Sequence, residues 1–199
     1  DNFDDISGRD WYILYQSSED PGLYYKSYIE DIAYILSLKK TKLIPPYPCL
    51  KAHENKLFMY EYLFIFNKLR KYIIDFKNFG TIQDLIKNLN KINFPIVVKF
   101  SDGSGSNNVF YAKSKFQLMF IIFRKSLTIS IYDCFADYVK RVFYNGYIGK
   151  SHNRKKFTIQ KLVKNIDFDY KVIIYHNRYF ILLRKNRTKD FRASGSGNF

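Results

Sequence analysis

The chain has 199 residues, 47% of them apolar, with 33 Lys and Arg against 18 Asp and Glu and a formal net charge of +15. That apolar share excludes wholesale disorder, which needs low hydrophobicity alongside high charge. No apolar run is long enough to span a bilayer, because Leu57–Phe66 is short and carries Glu61. Asp1, Asp4 and Asp5 are the reverse of a basic leader, so no signal peptide is expected. The basic excess is spread along the chain with no block of five like charges, and it reads as a solvated surface able to attract a polyanionic small molecule. Cys49 and Cys134 cannot build a disulfide framework and are expected as reduced, packed thiols in a cytoplasmic protein.

Trp11–Gln16 reads as a buried strand. Ile29, Ile32, Ala33 and Leu36 then recur at helical spacing, with Glu30 and Asp31 expected in the first turn, where the helix dipole favours acids. Leu43 and Ile44 form a second short strand stopped by Pro45 and Pro46, so the opening is a strand–helix–strand α/β unit. A helix is expected from about His53 to Asn67. Another follows Gly80, capped by Thr81 with Asp84 three residues on. Phe94–Phe100 and Val109–Ala112 read as strands joined by a Gly/Ser loop. Two helices come next, with apolar stripes Phe116, Met119, Phe120, Phe123, Leu127 and Tyr132, Phe135, Ala136, Val139, Val142, Phe143, both expected to face the core. Asn145–Lys156 is a basic linker and Phe157–Val163 a strand. Tyr170–Tyr175 and Tyr179–Leu183 make a hairpin turning at His176 and Asn177.

Two constellations carry chemistry. Lys99 sits in an apolar strand, where an ammonium is costly to bury unpaired, directly before a loop whose glycines let backbone amides approach a phosphate. No Gly-Lys-Ser/Thr follows, so this is not a Walker loop. The second runs through Gln160, Lys161, Asp169, Lys171, Arg184, Arg187 and Arg192. Asp169 and Lys171 lie two apart on one strand and share a face, and the arginines can grip an anion bidentately.

In this order the segments FPIVVKFSDGSGSNNVFYAKS (94–114), FTIQKLV (157–163), DYKVII (169–174) and RKNRTKDFRASGSG (184–197) resemble the ATP-grasp family, and KDFRASGSG is the most specific piece. The ligase branch it resembles includes ribosomal-protein glutamate ligases and glutathione synthetases. The resemblance implies an α/β (α+β) ATP-grasp fold. Its parts would be an incomplete pre-ATP-grasp unit over 1–52, a first lobe with the phosphate lid over 53–155, and the start of a second lobe over 156–199. It implies an ATP-dependent ligase that activates a carboxylate as an acyl-phosphate for an amine or thiol, and it implies neither nucleic-acid nor membrane partners.

By the same resemblance Lys99 meets the α-phosphate and the adenine edge, and Ser101, Asp102, Gly103, Ser104, Gly105 and Ser106 form the lid. Gln160, Lys161, Leu162 and Val163 form the adenine hinge, and Asp169 holds the ribose. Lys171, Arg184 and Arg192 face the triphosphate or acyl-phosphate, the two arginines as catalytic candidates. Lys56 is a second candidate phosphate lysine. Lys161 stands where the family usually carries an acid. The Mg²⁺ ligands of the family follow the KDFRASGSG loop, so they are expected beyond residue 199. The alternative is a non-catalytic basic module for nucleic acid or an acidic partner. A nucleic-acid binder interleaves aromatics with Lys and Arg on one element, whereas the aromatics here follow core spacing.

Overall fold

The computed structural model describes residues 11–17, 23–66, 70–101, 108–128, 130–149, 151–187 and 190–193. The chain divides into two compact units, Asp1–Arg70 and Lys71–Phe199. The architecture is the mixed α/β one expected, with helices against small sheets. Among the described residues no helix is long and apolar enough to cross a membrane.

In the first unit β1 (Tyr12–Leu14) and β2 (Lys42–Ile44) pair in parallel, joined by α1 (Tyr24–Leu38). Ala33, Leu36, Leu43 and Leu50 form its small core. The helix starts at Tyr24, earlier than the acids suggested, so Glu30 is not in the first turn. It is nearly buried instead, accepting from the buried Lys26 and from Lys51 (2.5 Å) of α2 (Tyr47–Ala52). Burial pushes the Glu30 carboxyl up, but the two lysine hydrogen bonds outweigh it and hold it below its ordinary value. The sequence reading ran one helix from about His53. The structure has α2 before it and α3 as Lys56–Phe66, separated by a turn at His53 and Glu54.

The second unit is built on an antiparallel sheet ordered β3 (Phe76–Phe79), β6 (Phe157–Lys161), β4 (Ile96–Phe100), β5 (Val109–Ala112). Strand alternation sends Phe79, Ile96, Val98, Phe100, Ala112, Phe157 and Ile159 to one face. There they meet Ile82 and Leu85 of α4 (Ile82–Asn88) and Leu118 and Ile122 of α5 (Lys115–Lys125). Phe157 is the hub, with its ring centroid 5.4 Å from Phe79 and 5.8 Å from Phe100. Thr81 caps α4 as expected, its hydroxyl accepting from the Asp84 amide at 3.2 Å. β7 (Phe168–Tyr175) and β8 (Arg178–Lys185) form the expected hairpin, with His176 at φ 56° in its turn.

Four expectations need correction. The opening strand is not buried, because Trp11, Tyr12 and Leu14 are all exposed. The aromatic stripe of α5 is not its core face, because Phe116 is 81% exposed while Leu118 and Ile122 are fully buried. On α6 (Ile131–Phe143) only Asp137 is buried, and Tyr132, Phe135, Val142 and Phe143 are exposed. The argument against a nucleic-acid face that rested on core spacing therefore loses its basis. Both cysteines are free and exposed rather than packed.

Asp137 fastens the segment after α6. Its carboxylate accepts from Tyr147 Oη (2.8 Å) and Arg141 Nε (2.7 Å) and faces His152 Nε2 at 3.3 Å. The Tyr147 hydroxyl and Arg141 hold its pKa at about 2. A folded pKa below the unfolded one adds stability above the unfolded value, near 3.9, and loses it as pH falls toward the folded value. Amide exchange over 144–149 is therefore expected to accelerate between about pH 4 and about pH 2 beyond the intrinsic pH trend. Asp137→Asn should remove that excess, and an identical pH response in the variant would dismiss the fastening.

Candidate functional site

The face of the sheet away from the helices carries a different set. Register places Lys99 of β4 between Thr158 of β6 and Val109 of β5, with Val97, Tyr111, Gln160 and Asn78 around them. Thr158 and Gln160 are buried, and Thr158 Oγ1 donates to Asn78 Oδ1 at 2.5 Å. Polar side chains are rarely buried without such partners. Lys99 itself is half-buried on this face, beside the place where the chain leaves the sheet.

The roots of the following loop are fixed. The Phe100 amide donates to the Asn108 carbonyl (3.0 Å), and the amide of buried Ser101 donates to the Lys156 carbonyl (3.1 Å). Asp102, Gly103, Ser104, Gly105 and Ser106, the remaining lid candidates, lie outside the described residues.

The segment 190–193 reaches the same face. Phe191 lies tilted against Tyr111 with centroids 5.9 Å apart, Ala193 is buried, and Arg192 Nη1 donates to the Val109 carbonyl at 3.3 Å. Arg192 also forks onto Asp190, with Nη2 to Oδ2 at 2.6 Å and Nε to Oδ1 at 3.0 Å. The Arg192 hydrogen bond keeps the Asp190 carboxyl below its ordinary range, and the same bond raises the guanidinium's pKa. The chain order alone gave no sign that Asp190 orients Arg192. The two-residue spacing permits the fork without requiring it.

The hinge candidates close one end of the sheet. Gln160 and Lys161 end β6, opposite Val97 and Ile96, and Leu162 and Val163 follow outside the ladder. The Lys161 amide donates to the Asp75 carbonyl at 3.4 Å, so that donor is already engaged. On the hairpin, Asp169 and Arg184 are cross-strand partners locked in a bidentate pair of 2.7 and 2.9 Å. Lys171 lies two residues on from Asp169, opposite Leu182, and is exposed. Lys56 opens α3 and belongs to the first unit.

The described residues do not fit a magnesium cage. No group of three or more His, Cys, Asp or Glu stands together among them. Hard Mg²⁺ asks for oxygen ligands, and the carboxylates of Asp169 and Asp190 are each committed to an arginine.

No family model matches the sequence, and no curated protein matches it significantly. Among solved structures, the chain is similar to D-alanine–D-alanine ligase from Helicobacter pylori, at 13% identity and a TM-score of 0.43, over 78% of this chain and 40% of that one. It is similar to N5-carboxyaminoimidazole ribonucleotide synthetase in its ADP complex, at 11% identity and 0.43, over 80% and 35%. It is also similar to phosphoribosylamine–glycine ligase from Thermotoga maritima, at 13% and 0.41, over 64% and 27%. All three are ATP-grasp enzymes, the superfamily that the motifs resemble. The chain spans less than half the length of each. Similarity at this level assigns no residue and no chemistry to this chain.

Proposed function

We propose that this chain is an ATP-binding module of ATP-grasp type, belonging to a ligase that joins a carboxylate to an amine or thiol through an acyl-phosphate. The observation that carries the reading is the meeting on one sheet face of Lys99, the fixed roots of the Ser101–Asn108 loop, and the Arg192 arm. Lys99 and the loop roots are neighbours in sequence, and the fold brings the distant Arg192 to them. In this reading Lys99 offsets phosphate charge, and the loop amides complete the cradle. Backbone at Gln160–Val163 orients the base, and Arg192, held by Asp190, faces the transferred group. Asp169 and Lys171 would serve the ribose and triphosphate, with Arg184 fixing Asp169. ATP use of this kind implies Mg²⁺, whose ligands would come from outside the described residues. The reading also places the protein in the cytoplasm.

The test is titration with a non-hydrolysable ATP analogue followed by amide resonances. Saturable shifts are expected at residues 97–101 and 158–163. Shifts scattered over basic surface, and weakening steeply with salt, would instead mark a non-catalytic anion-binding module.

A further inference from the structure

α6 is folded with its apolar side outward. Helical spacing puts Ile131, Tyr132, Phe135, Tyr138, Val142 and Phe143 on one side, opposite Asp137. All six are exposed, Ile131 at 89%, whereas Asp137 is the buried residue of the helix. Tyr147 Oη and Arg141 Nε hold that orientation by donating to the Asp137 carboxylate. An apolar stripe of this size ordinarily faces a core, and left outside it marks a surface that meets something else. On α5, Phe116, Phe120 and Phe123 are exposed as well. The segment 152–153 ties the two helices together. The Asn153 amide donates to the Phe123 carbonyl (3.0 Å) and to Ser126 Oγ (2.9 Å), and the adjoining His152 faces Asp137 at 3.3 Å.

Charge in the same stretch is one-sided. Residues 115–156 hold nine Lys and Arg against two Asp, a net +7 out of the chain's +15. Both acids are engaged, Asp137 by Arg141 and Asp133 in the cap of α6. The occupant must therefore be apolar and anionic at once. Leu127, Ile131, Val142 and Ile148 are exposed among the aromatics, and aliphatic side chains do not stack on bases as a nucleic-acid face requires. Tyrosines beside aliphatics suit the boundary between water and lipid, and anionic headgroups supply the opposite charge.

We propose that α6 is an interfacial helix that lies on an anionic bilayer surface. Its apolar side enters the boundary between headgroups and acyl chains, and the Lys and Arg of the stretch meet the lipid phosphates. The motifs implied no membrane partner, because such a face depends on which way a helix is turned. It asks nothing of the Lys99 face, so its failure would leave the ATP reading intact.

Cosedimentation of the full chain with vesicles is the test. Phosphatidylcholine vesicles with about 30% phosphatidylserine should bind it, and pure phosphatidylcholine vesicles should bind it at least about tenfold more weakly. Phe135→Gln/Phe143→Gln should weaken binding by about tenfold or more. Arg124→Gln/Lys140→Gln should weaken it by about thirtyfold, or about fivefold per charge. All four side chains are exposed, so both variants should keep the wild-type urea midpoint, which separates lost binding from lost folding. No binding to the anionic vesicles, equal binding to both compositions, or undiminished binding by either variant would overturn the proposal. So would tighter binding to an oligothymidylate that is lost with the same phenylalanines, or a dimer in solution that Phe135→Gln/Phe143→Gln dissolves.

Discussion

Phe157→Ala is expected to destabilise the second unit by about 3–5 kcal/mol, the largest effect of any single truncation considered. The ring is fully buried, lies between Phe79 and Phe100, and belongs to an interior strand with neighbours on both sides. Its removal leaves a void that helices on one side and a four-stranded sheet on the other cannot close. Domains of this size are stable by only about 5–15 kcal/mol, so the variant should shift the urea midpoint sharply. Phe116→Ala is the matched control on α5, at 81% exposure, and should change stability by less than about 0.5 kcal/mol. Equal losses from the two truncations would mean that α5 buries its aromatic stripe after all.

Lys99→Ala is expected to cost about 1.5–3 kcal/mol of ATP binding, or roughly tenfold to 150-fold in affinity. The basis is a charge-assisted contact made from a half-buried strand position, where water screens less than at the surface. Lys99→Met keeps the apolar stem beside Val109 and Thr158 and isolates the charge. Because the whole chain is strongly basic, Lys87→Ala on the helical side of the sheet supplies the baseline for non-specific attraction. Calorimetry at fixed ionic strength reads all three. If Lys99→Met and Lys87→Ala behave alike, Lys99 does not meet the nucleotide.

Much of the sheet could be read before folding was considered. β4 and β5 flank an unmistakable Gly/Ser loop, the hairpin turns at its Asn-bearing corner, and Thr81 announces α4. β3 escaped, because FKNF offers only four residues and its partner lies far along the chain. α5 was legible as a helix but not in its orientation. It is apolar almost all round, so period 3.6 fits both the Phe116–Phe120–Phe123 stripe and the Leu118–Ile122 stripe, and only the sheet chooses. The site divides the same way. Lys99 was legible as a cation in an apolar strand, but IVVKF does not alternate, and the sheet register is what turns it away from the helices. The Asp190–Arg192 fork and the Asp169–Arg184 lock are mutual choices of partner, which spacing permits without dictating.

The position of β6 has a bearing on how the chain is made. It is inserted between β3 and β4, and the Thr158–Asn78 hydrogen bond joins residues 80 apart in sequence. During synthesis, β3, β4, β5, α4 and α5 therefore leave the ribosome before the strand that unites them. Until then Phe79 and Phe100 have no Phe157 to cover them, and β4 presents an unpaired apolar edge to solvent. Such long-range closure is slow relative to local helix formation. The nascent intermediate is thus the state in which this protein is most exposed to self-association and most dependent on chaperones.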